Sequence, residues 1–211
     1  MLEMIKKDLM LIFSDTRQRI FLFFMVPFFM LSIDTENMDW LYFVIIMGVS
    51  HILILTPFYY DMDNKSNSLM GSLPITRRER VVYKYLSVFF YSLIAIVYVG
   101  IYLWIINKIG LMNVDYFNLA MIRKALPYSL ISIGLTIFIN FIFTMRIAQI
   151  ANMLIYILII IFSFNLAQVS IDGTPGRIIE FLDGSGFLIL SIGLFILFMV
   201  ITIKLYENKD L

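Results

Sequence analysis

Residues with catalytic side chains are few in this sequence and do not form a recognisable set. Asp61 and Asp63, two positions apart, offer oxygen ligands for a divalent cation. No further carboxylate cluster lies nearby in sequence, and either residue would serve equally well as a helix cap. Ser185, between two glycines, and His51 are the residue types of a nucleophile and its base. We expect them far apart, because Ser185 lies in a glycine-rich link and His51 in the middle of an apolar run.

Thiol chemistry and nucleotide chemistry are also missing from the sequence. There is no cysteine, which excludes disulfides, thiolate nucleophiles and cysteine metal sites. There is no Gly-x-x-x-x-Gly-Lys-Ser/Thr phosphate loop, and none of the ten glycines is followed directly by lysine. We therefore expect no metal and no cofactor on this chain.

The composition is that of a membrane protein. Hydrophobic residues make up 61% and aromatic residues 16% of the 211 residues, with a mean hydropathy of +0.92. Soluble domains are about 45–50% apolar, whereas a bilayer core accepts helices of about 20 uncharged apolar residues. The net charge of +1 gives no basic surface for nucleic acid.

Six apolar segments divide the chain, and we expect each to cross the bilayer. The predicted fold is all-α, a polytopic membrane protein with a single transmembrane domain over residues 1–211. A link over residues 170–186 is rich in Gly and Pro and fits either a re-entrant outer segment or an ordinary surface loop. The predicted spans are residues 20–33, 40–60, 85–106, 125–145, 150–169 and 187–206.

Residues 1–19 carry too many charges to cross a bilayer. On a helix their apolar side chains share a face, with Glu3, Lys7 and Ser14 opposite. This pattern predicts an interfacial helix lying on the cytoplasmic leaflet, and the alternative is a helix packed on the protein's own loops. The apolar face consists of Leu2, Ile5, Leu9, Ile12 and Phe13.

The distribution of Lys and Arg over alternate loops predicts the orientation. Most of them lie in the N-terminal segment, the loop after the second span, the turn at Arg146 and Gln149, and the C-terminal tail. Because positive loops stay inside, both termini are expected in the cytoplasm, with the chain a multi-pass protein of a bacterial-type plasma membrane.

The longest polar interruption is the loop over residues 61–84, called here the central loop. Thr76 followed by Glu79 is a capping box, which predicts a helix that starts there and continues into the third span. Pro74 forces a turn before that helix, and Gly71 would terminate a shorter helix upstream. A solvated loop whose arginines only set topology is an equally good interpretation of this spacing.

The central loop resembles the loop between the second and third spans of small permeases of the type-2 ATP-binding-cassette exporter family. It is most similar to the compact bacterial permeases that include the phenol-soluble modulin exporter subunits. The likeness extends to the whole layout of six spans and an N-terminal helix. The residues that carry it are Asp61, Asp63, Lys65, Ser68-Leu69-Met70, Ser72-Leu73-Pro74-Ile75-Thr76-Arg77, Val81-Val82 and Lys84-Tyr85.

The resemblance implies a coupling helix in the central loop that seats on a separate ATPase subunit, and it implies that this partner uses the ATP and Mg²⁺. It also implies a second permease subunit, identical or related, and export of hydrophobic or amphipathic cargo, with amphipathic peptides favoured. Arg77, Arg78 and Arg80 would flank the ATPase contact or face anionic lipid. The implied coupling helix consists of Asn64, Lys65, Ser66, Asn67, Ser68, Leu69, Met70 and Gly71.

Polar residues inside the predicted spans are candidates for function as well as for packing. We expect His51 to be buried, neutral and hydrogen-bonded rather than a proton relay, and Asn140 and Asn152 to hold helices together. A secondary transporter is the main alternative to a permease, although no inverted repeat or pair of broken helices is evident. An intramembrane enzyme is the least favoured interpretation.

Overall fold

The computed structural model describes residues 2–32, 38–61, 76–111, 116–171 and 185–208, and every regular element among them is an α-helix. In chain order these helices are α1 Leu2–Ser14, α2 Thr16–Ser32, α3 Met38–Asp61, α4 Arg77–Ile109, α5 Leu119–Ile142, α6 Met145–Ile171 and α7 Ser185–Glu207. The implied coupling helix and most of the link before the last span lie outside the described residues.

Four of the described helices are long and apolar enough to cross a membrane. They are Leu41–Asp61, Arg77–Ile109, Leu119–Ile142 and Gly186–Glu207, and they overlap four of the six spans predicted from sequence. The other two predicted spans fall on α2, a helix of 17 residues, and on α6.

The start of α4 confirms the predicted capping box. The Glu79 N–H donates to the Thr76 hydroxyl at 3.2 Å, and the Thr76 N–H donates to the Glu79 carboxylate at 2.9 Å. The helix then continues for 33 residues to a left-handed C-cap at Gly110 (φ 74°), about 50 Å at 1.5 Å per residue. Because the hydrocarbon core is about 30 Å thick, α4 projects beyond it.

The break between α5 and α6 lies at Phe143 and Thr144, before the turn expected at Arg146 and Gln149, which belong to the start of α6. The beginning of α5 is set by Asn118, whose side chain accepts hydrogen bonds from two backbone N–H groups of the first turn. This cap starts the helix before the predicted span at residue 125.

The bundle is built around α3. Within its most apolar stretch 89% of the residues are buried, against 22% in α7. It packs against α5, α4, α1, α2 and α6, while α4 and α7 present large apolar side chains outward. An apolar outer surface around a mixed interior is what a bilayer requires of a helix bundle.

Candidate functional site

Four charged residues meet where α1, α3 and α4 come together, and we call them the ionic cluster: Lys7, Asp8, Asp61 and Lys84. The Lys84 ammonium lies 2.9 Å from Asp8 Oδ2 and 2.9 Å from Asp61 Oδ2. Lys7 Nζ lies 2.8 Å from Asp61 Oδ1 and 3.3 Å from Asp8 Oδ1. Two carboxylates and two ammonium groups therefore balance each other at the base of the central loop.

Three of the four residues of the ionic cluster are buried, whereas Lys7 is partly exposed, and the cluster receives further hydrogen-bond donors. Asp8 is fully buried, and Asp61 and Lys84 are each 3% exposed. The hydroxyls of Tyr83 and Tyr91 donate to Asp8 Oδ2 at 2.7 and 3.3 Å. Since a buried charge is tolerated only when it is paired and hydrogen-bonded, these contacts explain how three ionised groups can remain inside.

Sequence reasoning missed this cluster, although a signal for it is present. From the sequence, Lys84 is the last residue of the central loop. In the structure it lies in a buried stripe of α4 between Val81 and Val88. Asp8 lies between Ile5 and Ile12 at the same helical spacing in α1. A charge at an apolar position of a helix face predicts a buried partner of opposite sign.

The α1–α2 corner is fixed to α3 by two further contacts. The Tyr60 hydroxyl donates to Asp15 at 2.8 Å, and the Gln18 amide donates to Thr56 at 3.0 Å. The Tyr60 bond, together with the Arg17 backbone N–H, holds the pKa of Asp15 below its ordinary value. The N-terminal helix therefore packs on the bundle through polar contacts as well as through Ile12.

A second site is an apolar groove of about 650 Å³ between α2, α3 and α6. Its wall on α2 is aromatic, and its α3 and α6 walls carry a few polar groups. We call it the lateral groove; its lining residues are Phe21, Phe24, Met25, Phe28, Phe29, His51, Ile52, Leu55, Tyr59, Gln149, Asn152, Met153 and Tyr156.

Two of the three predicted intramembrane polar residues line this groove. His51 is 4% exposed and stacks on Tyr156, with ring centroids 5.2 Å apart. Its Nε2 has no hydrogen-bond partner among the described residues, so the expected hydrogen-bonded role of that nitrogen is not found there. Asn152 is 1% exposed, and neither polar atom of its side-chain amide has a hydrogen-bond partner among the described residues.

Asn140 lies elsewhere and corrects the expectation that it would link helices. Its amide donates to the Thr136 carbonyl of its own helix at 2.8 Å, because that carbonyl is one turn away and within reach.

The three arginines at the start of α4 differ in the contacts they make. Arg77 donates to the Glu207 carbonyl and Arg80 to the Tyr206 hydroxyl of α7, whereas Arg78 is exposed.

Metal chemistry finds no support among the described residues. They contain no group of three His, Asp or Glu side chains that could hold an ion. Asp61, one of the two carboxylates considered from sequence as ligands for a divalent cation, forms ion pairs with Lys7 and Lys84 instead.

Together, the helices define a multi-pass α-helical membrane protein that contains an ionic cluster and a lateral groove. The chain belongs to the ABC-2 family transporter proteins, whose family model matches residues 3–207. It is thus a permease of the ABC-2 type. No curated protein and no solved structure matches the chain.

Proposed function

We propose that this chain is the permease subunit of an ATP-binding-cassette exporter, in which a separate ATPase subunit drives export of hydrophobic or amphipathic cargo. The family match over residues 3–207 carries the proposal. In it, α2 and α6 complete a set of six spans, both termini are cytoplasmic, and a second permease subunit forms the other half of the pathway.

The ATPase contact is assigned to residues 64–71 of the central loop, as the resemblance to type-2 permeases implies. Two described features support a mechanical role for this loop. Its flanking helices α3 and α4 are both long, and α4 starts with a complete capping box. A displacement of the loop therefore reaches the spans through rigid helices, shifting the balance between inward-open and outward-open states.

The lateral groove supports the cargo class. Its aromatic and methionine side chains offer adaptable apolar contact, and His51 and Asn152 add hydrogen-bonding groups on the α3 and α6 walls. A site of this kind fits a molecule that is mostly apolar with a few polar groups, such as the apolar face of an amphipathic peptide. Amphipathic peptides, the cargo that the resemblance favours, are proposed on this basis.

Co-purification tests the ATPase partnership. The tagged chain in mild detergent is expected to retain an ATPase subunit, and Leu69→Glu/Met70→Glu should lose it while still inserting into the membrane. Ser72→Glu is the matched control, because it adds a charge to the same loop at a polar position outside residues 64–71. Retention of the ATPase by the double variant contradicts the assignment, and ion-driven transport by the purified chain alone indicates a secondary transporter.

Cargo binding is tested in nanodiscs with a fluorescent amphipathic helical peptide. Met153→Trp, which fills the lateral groove, should weaken peptide binding at least tenfold, whereas Ile189→Trp on the outer face of α7 should not. Met153 and Ile189 are similarly exposed, at 66% and 69%, so the two variants differ in location rather than in accessibility. Equal binding by both excludes the groove as the cargo site.

A further inference from the structure

The ionic cluster joins three helices at the point where the central loop enters and leaves the bundle. Asp61 is the last residue of α3, and Lys84 lies in the second turn of α4. One ammonium group contacts carboxylates of both α3 and α1 at 2.9 Å. The two helices that flank the loop are therefore tied to each other and to α1 through the same nitrogen.

The contacts continue from α1 to the lateral groove. Asp8 is bonded to three side chains of α4, and its neighbour Lys7 contacts Asp61 of α3. One residue, Asp15, separates α1 from α2, and α2 supplies the aromatic wall of the groove. Displacing α1 from α4 would separate the buried Asp8 carboxylate from the Lys84 ammonium and from the hydroxyls of Tyr83 and Tyr91, so the cluster favours movement of the three helices as one unit.

We propose that Asp8 and Lys84 are positioning residues that carry the movement of the central loop to α1, and through α1 to the groove wall on α2. This inference rests on the proposed permease function. In it, the loop acts on the cargo site by two routes, directly through α3 and indirectly through α1 and α2. Neither residue touches cargo or the ATPase.

The test uses a double variant in which charge stays balanced. Asp8→Asn/Lys84→Met removes one carboxylate and one ammonium, leaving the Lys7–Asp61 pair intact, and Lys84→Arg is the conservative control. Since the chain has no cysteine, nitroxides can be placed at Lys6→Cys on α1 and Arg78→Cys on α4, both exposed positions. The distance between the labels is then measured by pulsed electron paramagnetic resonance.

For the chain without its partner, we expect a narrow α1–α4 distance distribution that broadens in the double variant and stays narrow in Lys84→Arg. In the complex with its ATPase subunit, the double variant should keep basal ATP hydrolysis but export at least tenfold less fluorescent amphipathic peptide per ATP. An unchanged distance distribution, or unchanged export per ATP, overturns the inference. Failure to recruit any ATPase contradicts the proposed function instead, because the measurement on the chain alone does not depend on it.

Discussion

Removing the Lys84 ammonium is the most informative single perturbation of this fold. In Lys84→Met two charge-assisted contacts of 2.9 Å are lost, to Asp8 and to Asp61. The contact with Asp8 is a charge-assisted hydrogen bond, which contributes about 1.5–3 kcal/mol. The two carboxylate oxygens contact one nitrogen at 2.9 Å and so lie at most about 6 Å apart, where at an effective dielectric constant of 20 the repulsion is about 3 kcal/mol.

Because Lys7 contacts both carboxylates and offsets part of this repulsion, we expect Lys84→Met to lower the free energy of unfolding by about 4 kcal/mol, within the range found when one partner of a buried ion pair is removed. For a chain of this size that corresponds to a fall in Tm of about 8–16 °C. Adding Asp8→Asn removes the uncompensated carboxylate, so the double variant should recover at least half of the loss. Reversible unfolding in mixed detergent and denaturing micelles measures both variants.

The double-mutant cycle decides whether this reasoning is sound. A loss of less than about 1 kcal/mol in Lys84→Met would show that the contacts resemble a surface salt bridge. A loss in the double variant equal to the sum of the losses in Lys84→Met and in Asp8→Asn alone would show that Asp8 and Lys84 do not interact energetically. A variant carrying Lys6→Met, which removes an exposed ammonium from the same end of the molecule, controls for the change in net charge.

Three other predictions follow from local geometry. Thr76→Ala should cost about 1 kcal/mol and increase hydrogen exchange in the first turn of α4, because the cap is lost; unchanged exchange would contradict this. Gly100→Val should destabilise the protein by about 1–3 kcal/mol in thermal unfolding, because a side chain there meets the Phe117 ring. The control is Gly193→Val, which should be close to neutral because a Cβ at that position meets nothing within 4 Å. Asp15 has a lowered pKa, so the stability that its ionised form contributes is fully present above pH 3.8, the ordinary pKa, and is lost as the pH falls through the lowered pKa. The difference in unfolding free energy between wild type and Asp15→Asn should therefore vanish as the pH is lowered through this range. A difference that stays constant with pH would refute the assignment.

The sequence predicted those features of the fold that depend on residues close together in the chain. The start of α4 at Thr76 was predicted correctly because a capping box involves residues three positions apart. The membrane-spanning character of α3, α4, α5 and α7 follows from uninterrupted apolar length. The break before α6 was misplaced by a few residues because no glycine or proline marks it.

The ionic cluster could not be predicted because its partners are distant in sequence. Lys84 and Asp8 are 76 positions apart, and helical periodicity shows only that each occupies an apolar face. Which charge meets which depends on the packing of α1 into the angle between α3 and α4. The lateral groove likewise depends on the packing of three helices, so His51 and Asn152 were identified as individual residues and not as members of one site.

The burial of α3 also bears on how the protein enters the membrane. This helix carries Ser50, His51 and Thr56, all buried among protein neighbours, and its mean hydropathy is 2.1, against 2.8 for α7. On its own, α3 would have to present these polar groups to lipid. We therefore expect the insertion machinery to retain α3 until later segments have emerged to shelter it, whereas α7 can partition into the bilayer alone.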